Sequence, residues 1–179
     1  MSSSRGQWIA VGIIVAILLG ALTAGVLLQE DVARVAVGTD APDFEAVDLA
    51  TGEVVSLAEY EGDVMLLNLW ATWCAPCRTE MPSMERLHKE LGPLGLRVVA
   101  VSVDAAGPED VETFVNELGL TFDILHDQSQ RIERRYQTTG LPESFVINRK
   151  GEIVHWEIGP VEWDAPPQIA RLRRILTSD

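Results

Sequence analysis

Apolar positions follow three different periods along the chain. Residues Gly6 to Gln29 form a run of 24 without a charge. At the rise of an α-helix such a run covers about 36 Å, against a hydrocarbon core of about 30 Å, so a single membrane span is predicted over residues 8–28. Beyond it, VMLLNLW (Val64–Trp70) and LRVVAVSV (Leu96–Val103) are continuous apolar runs of strand length, as expected of strands covered on both faces. Between them Met84, Leu87, His88 and Leu91 recur at helical spacing, and Gly92-Pro93 ends that helix.

The same reading continues on both sides. Asp43 to Leu57 has the form of a hairpin around Ala50-Thr51-Gly52. Pro108 opens a helix with an apolar stripe at Val111, Phe114, Val115 and Leu118, which Gly119 stops. A strand over Thr121–Leu125 and a helix over Gln128–Tyr136 follow. Ser144–Asn148, the turn Arg149-Lys150-Gly151 and Glu152–Ile158 then make a hairpin, and Pro167–Leu176 a closing helix with Arg171, Arg173 and Arg174 near its negative end. Strands alternating with helices, then a hairpin and a helix, predict an α/β sandwich built on a mixed sheet.

The ends of the apolar run orient it. Arg5 precedes it and Glu30 and Asp31 follow, so the positive-inside rule leaves residues 1–7 in the cytoplasm and the rest of the chain outside. A cleavable signal is the competing reading, but Trp8–Leu28 exceeds the usual hydrophobic core of one, and no A-x-A site precedes Glu30. An uncleaved signal-anchor is expected, with residues 29–37 as a tether and 38–179 as one extracytoplasmic domain. No cysteine stands at the end of the run, which excludes lipid attachment there. The net charge of −13 disfavours nucleic acid and anionic lipid as partners.

The chain has two cysteines, both in WCAPC: Cys74 and Cys77, with Ala75 and Pro76 between them. Placed between a buried strand and the helix it feeds, Cys74 meets the unpaired N–H groups and positive dipole of a helix start, which favour thiolate. Pro76 fits a first turn because its missing N–H has no partner there. Cys77, one turn along, is placed to resolve a mixed disulfide formed by Cys74. A static staple is the bland reading, but so short a loop contributes only about 2 kcal/mol, against about 4.7 for a loop of 100 residues. A zinc site would need further ligands, and His88, His126 and His155 are isolated in the sequence. No metal and no cofactor beyond the redox-active pair is expected.

These residues resemble thioredoxin-like proteins and, within them, the membrane-anchored, extracytoplasmic ResA/TlpA/CcmG (DsbE) group of thiol-disulfide oxidoreductases. The resemblance is carried by Ala41-Pro42-Asp43-Phe44, by LLNLWATWCAPCRTEMP over Leu66–Pro82, by VVAVSVD over Val98–Asp104 and by GLPESFVINRKGEIV over Gly140–Val154. It implies a thioredoxin-like fold. It also implies that Pro142 is cis and lies against the cysteines, with Leu141 and Glu143 beside it shaping a groove for an extended substrate, where residues alone would allow an edge-strand start. Pro82 should kink its helix near Arg78.

Glu80 stands one turn beyond Cys77. Its position alone leaves an exposed acid and a desolvated proton carrier even, and the resemblance favours the second. Asn68 occupies the place where thioredoxin proper has a buried Asp, a departure that weakens a general thioredoxin role. Glu143 resembles an acid of the cytochrome c maturation branch; as a bare residue it reads as a solvated strand-end charge. Trp73 is expected over the cysteines, or as packing, His88 as a satisfied half-buried histidine, and Trp156 and Trp163 as packing.

The resemblance therefore implies reduction of protein disulfides, first among them those of apocytochrome c CxxCH motifs, with electrons from a membrane thiol transporter of the CcdA/DsbD type. The alternatives are a thiol reductase or copper-delivery factor for cytochrome oxidase assembly, and a thiol peroxidase. Against the peroxidase, Thr72 stands only two residues before Cys74, outside the P-x-x-x-T/S-x-x-C pattern. Against copper, no histidine stands beside Pro142.

Overall fold

The computed structural model describes residues 3–27 and 34–178, in two separate units. In the first, helix α1 spans Ser3–Leu27. Side chains 3–6, 10, 21, 22 and 24–27 lie outside the described residues, and over those described no helix is long and apolar enough to cross a membrane. Most of the expected tether, residues 29–33, also lies outside them.

The second unit begins at Arg34, ahead of the expected boundary at Gly38. The reason is Val35, which is buried in the core, and the Thr39 hydroxyl, which accepts from the Ala36 amide and donates to the Ala36 carbonyl. A tether that buries a side chain is already part of the fold.

Seven strands form one mixed sheet: β1 Glu45–Asp48, β2 Val54–Ser56, β3 Val64–Trp70, β4 Leu96–Ser102, β5 Asp123–His126, β6 Glu143–Ile147 and β7 Ile153–Ile158, in the order β2-β1-β5-β4-β3-β6-β7. β3, β4 and β5 run parallel, and β1, β6 and β7 pair antiparallel with their neighbours. The run VMLLNLW is wholly buried because β3 is interior and covered on both faces. β6 is interior too, so the edge-strand alternative for Pro142 does not hold.

Helices α2 Ala75–Leu91 and α3 Pro108–Leu118 cross from β3 to β4 and from β4 to β5. Successive right-handed crossovers in one direction lie on one face of a sheet. The contacts agree: Asn68 and Trp70, two apart on β3, reach Glu80 of α2 and Phe114 of α3 respectively. α5 Pro166–Thr177 joins them through Arg173 to Glu90. On the other face Tyr136 packs against Phe145, which stacks on Trp156.

α4 is shorter than its pattern, Arg131–Arg135 in place of Gln128–Tyr136. Asp127 accepts from the amides of Ser129 and Ile132 and from the Ser129 hydroxyl, and Gln130 takes a left-handed φ of 56°. Those side-chain bonds hold a turn where the periodicity alone continues a helix. α2, by contrast, runs unbroken through Pro82. At the outer edge, Gly38 donates to Ile153, Ile153 to Thr39 and Ala41 to Gly151, so residues 38–41 cover the first part of β7.

Candidate active site

β3 delivers the chain to the carboxyl edge of the sheet, and α2 begins directly there. Cys74 is the residue that caps α2, and its sulfur accepts the Cys77 amide at 3.2 Å. The two cysteines are joined in a disulfide with Cα atoms 5.3 Å apart. Cys74 retains 4% exposure and Cys77 none, so an incoming group reaches Cys74 first. The amide that now meets the Cys74 sulfur is one of the unpaired donors of the helix start, and it favours a thiolate at the same atom once the bond is reduced. Ala75 and Pro76 are exposed on the first turn. Trp73 is 71% exposed and stands as an open aromatic surface next to Cys74, so the alternative that it is packing does not hold.

The loop before the cysteines is held by a buried carboxylate. Asp104 accepts the Thr72 amide at 2.9 Å and its hydroxyl at 2.7 Å, and also the Ser102 hydroxyl at 2.7 Å. Val103 donates to the Trp70 carbonyl and extends the β3–β4 ladder to the same point. The end of β4 thus fixes the residue two places before Cys74. The His126 Nε2 donates to the Asp104 carbonyl, while His88 stacks edge-on to Phe122. His88 is half-buried as expected, but its Nδ1 is buried without a partner and is not the satisfied group predicted.

Glu80 is 2% exposed. Its Oε1 accepts the Trp163 indole N–H at 2.5 Å and the Val161 amide at 3.3 Å, and Oε2 lies 3.5 Å from Asn68 Nδ2, which also donates to the Ser144 hydroxyl at 2.8 Å. Burial pushes its carboxyl up to about 7, against the lowering effect of the Trp163, Val161 and Asn68 bonds. The group therefore changes protonation near neutrality, the condition for moving protons to and from thiols. An exposed acid at this position is excluded.

Pro142 is cis and buried. Glu143 pairs with Leu69 in the β3–β6 register, so Pro142 lies at the same edge of the sheet as the cysteines. Leu141 is half-buried beside it. Glu143 itself is fully buried, which corrects its bare reading as a solvated charge: β6 lies between β3 and β7, and the side chain turns inward to the Trp156 indole at 2.7 Å. Burial raises its proton affinity, Trp156 and the nearby Thr138 hydroxyl and Thr139 amide lower it, and Glu133 raises it further. Among the described residues the Thr138 hydroxyl and Glu143 Oε2 are buried without a full hydrogen bond.

Glu80 and Glu143 thus each lie against an indole N–H from a tryptophan that sequence reasoning assigns only to packing. Trp163 is 83 residues from Glu80 and Trp156 is 13 from Glu143, with no local motif linking either pair.

The family model for AhpC/TSA proteins matches residues 37–156. A thiol-disulfide oxidoreductase ResA from Oceanobacillus iheyensis is 37% identical over 158 residues, 83% of this chain and 80% of its own length. Among solved structures, one named as a thiol:disulfide interchange protein DsbE, from Chlorobium tepidum, superposes with a TM-score of 0.73 at 30% identity, covering 80% of this chain and 99% of that one. StoA from Bacillus subtilis superposes with a TM-score of 0.61 at 27% identity, over 74% of this chain and 95% of its own.

Proposed function

Because the chain belongs to the AhpC/TSA family, as a thiol-disulfide oxidoreductase of the ResA, DsbE and StoA type, we propose that it reduces protein disulfides outside the cytoplasm while tethered to a membrane. The observation that carries the chemistry is a buried carboxyl, pushed up to about 7 by burial, one turn from the resolving cysteine. Each turnover moves protons on and off two thiols, and a group that changes protonation near neutrality can take them up and return them.

In the forward sense the Cys74 thiolate attacks one sulfur of a substrate disulfide. The new bond joins Cys74 to the substrate, and the substrate's other sulfur leaves as thiolate and takes a proton. Cys77 then gives its proton to Glu80 and attacks the Cys74 sulfur. The Cys74–Cys77 bond forms as the mixed disulfide breaks, the second substrate sulfur leaves as thiolate and takes the proton held by Glu80, and the substrate departs as a dithiol. Two electrons pass from the pair to the substrate, with no resident cofactor. Trp73, Ala75, Pro76 and Leu141 border the entry to Cys74 and, with Pro142, shape the docking groove, whereas Glu143 is fully buried and presents no side chain to it.

The preferred substrate is the CxxCH disulfide of apocytochrome c, and a membrane thiol transporter of the CcdA/DsbD type returns the pair to its reduced form. The anchor rests on the uncharged run Gly6–Gln29 and on α1, whose described side chains Trp8, Ile9, Ile13, Ile14, Ile17 and Leu18 are apolar and exposed around the helix. Cys77→Ala tests the substrate: in membranes making cytochrome c it should accumulate a mixed disulfide between Cys74 and apocytochrome c. If other proteins are trapped and apocytochrome c is not, the substrate assignment fails.

A further inference from the structure

The loop between β7 and α5 is bound to one turn of α2. Trp163 is fully buried, and its indole N–H and the Val161 amide both end on Glu80 Oε1. One turn after Glu80, the Ser83 hydroxyl accepts the Trp163 amide at 3.0 Å and donates to the Glu80 carbonyl at 2.8 Å. Side chain and backbone of Trp163 are thereby fixed to the same helical turn.

This makes the two carboxyl oxygens unequal. Oε1 is occupied by two donors. Oε2 has one long contact, to Asn68, whose own Oδ1 is buried without a partner. A proton on Oε2 would meet that orphaned oxygen after rotation of the Asn68 amide, and the ionised form meets Nδ2 as found. Asn68 therefore serves either state at Oε2, while Oε1 is held throughout.

We propose that Trp163 is a positioning residue for proton transfer: it holds Glu80 Oε1 so that Oε2 alone gives and takes the proton exchanged with the cysteine pair. The proposal rests on Glu80 being that proton carrier. The other groups around Glu80 are Cys77, one turn before it on α2, and Ser83, one turn after it, Asn68 from β3, Ser144 hydrogen-bonded to Asn68 from β6, and the Val161 amide. A cleft of about 340 Å³ between α2 and the loop reaches Glu80. Its lining includes Arg86, paired with Asp164, and the exposed Glu162. None of these charges is among the causes of the raised carboxyl, which is set by burial against hydrogen bonds.

The test uses the full-length protein and a synthetic peptide with an intramolecular CxxC disulfide. Glu80→Gln should remove one limb of the pH–rate profile. Trp163→Phe keeps an aromatic ring and removes the N–H that favours the carboxylate, so the same limb should move to higher pH by about one unit, a roughly tenfold lower rate below it. In the Glu80→Gln background Trp163→Phe should move nothing. If Glu80→Gln leaves the profile intact, the proton-carrier reading falls. If Glu80→Gln removes the limb and Trp163→Phe leaves it in place, the role of Trp163 falls alone. Should Trp163→Phe not fold, the wild-type indole N–H resonance decides: it should titrate with a midpoint at about 7 and become flat in Glu80→Gln, and a flat wild-type resonance overturns the proposal.

Discussion

Glu80→Gln should stabilise the oxidised protein at alkaline pH even as it removes proton transfer. The carboxyl is pushed from 4.5 to about 7, mainly by burial, a difference in proton affinity between folded and unfolded chain of about 3 kcal/mol. Its sign follows from which state binds the proton more tightly. The folded state does, so the favourable contribution is complete below about 4.5 and is lost as pH rises through about 7. Gln cannot ionise, its oxygen can still accept from Trp163, and its amide can donate to the orphaned Asn68 Oδ1. Wild type and variant should therefore differ least near pH 4.5 and most above pH 8, where the variant gains up to about 3 kcal/mol, or about 6–12 °C in Tm. Urea unfolding of both oxidised proteins at a series of pH values measures the difference directly. A constant difference from pH 4.5 to 8.5 would refute a buried carboxyl titrating near neutrality.

Two other substitutions separate binding from scaffold. Trp73→Ala removes a side chain that is 71% exposed, so stability should change by no more than about 0.5 kcal/mol. If Trp73 is a docking surface, kcat/KM for a protein disulfide should nonetheless fall by about tenfold or more; an unchanged value assigns Trp73 no part in docking. Asp104→Ala leaves the Thr72 amide and the Thr72 and Ser102 hydroxyls without their acceptor. It should cost about 3 kcal/mol in urea unfolding, and a loss below about 1 kcal/mol would mean that the loop before Cys74 is held by other contacts.

Where the signal was local, the sequence was sufficient. β3, β4, α2 and α3 follow from uninterrupted runs and a 3.6-residue stripe, and the redox pair from its place between a buried strand and a helix start. α4 was overestimated because periodicity does not register a side chain such as Asp127 competing for backbone amides. The burial of Glu143 was misjudged from residues alone because exposure depends on strand order, and β7 covers β6 only through a later hairpin. The partners of the two acids were not legible at all: Trp163 reaches Glu80 across 83 residues, and tryptophan near a chain end reads equally well as packing.

Residues 38–41 cover the outer edge of β7 near its start. An open strand edge invites pairing with another chain, so this short segment protects the domain against self-association. Proteolytic trimming of the chain would have different results on either side of it. A cut before Arg34 should yield a monomeric soluble enzyme, whereas trimming through Ala41 should uncover the Gly151–Ile153 edge and give a product that aggregates on standing. The segment that opens the domain thus also sets how far the chain can be trimmed with the fold intact.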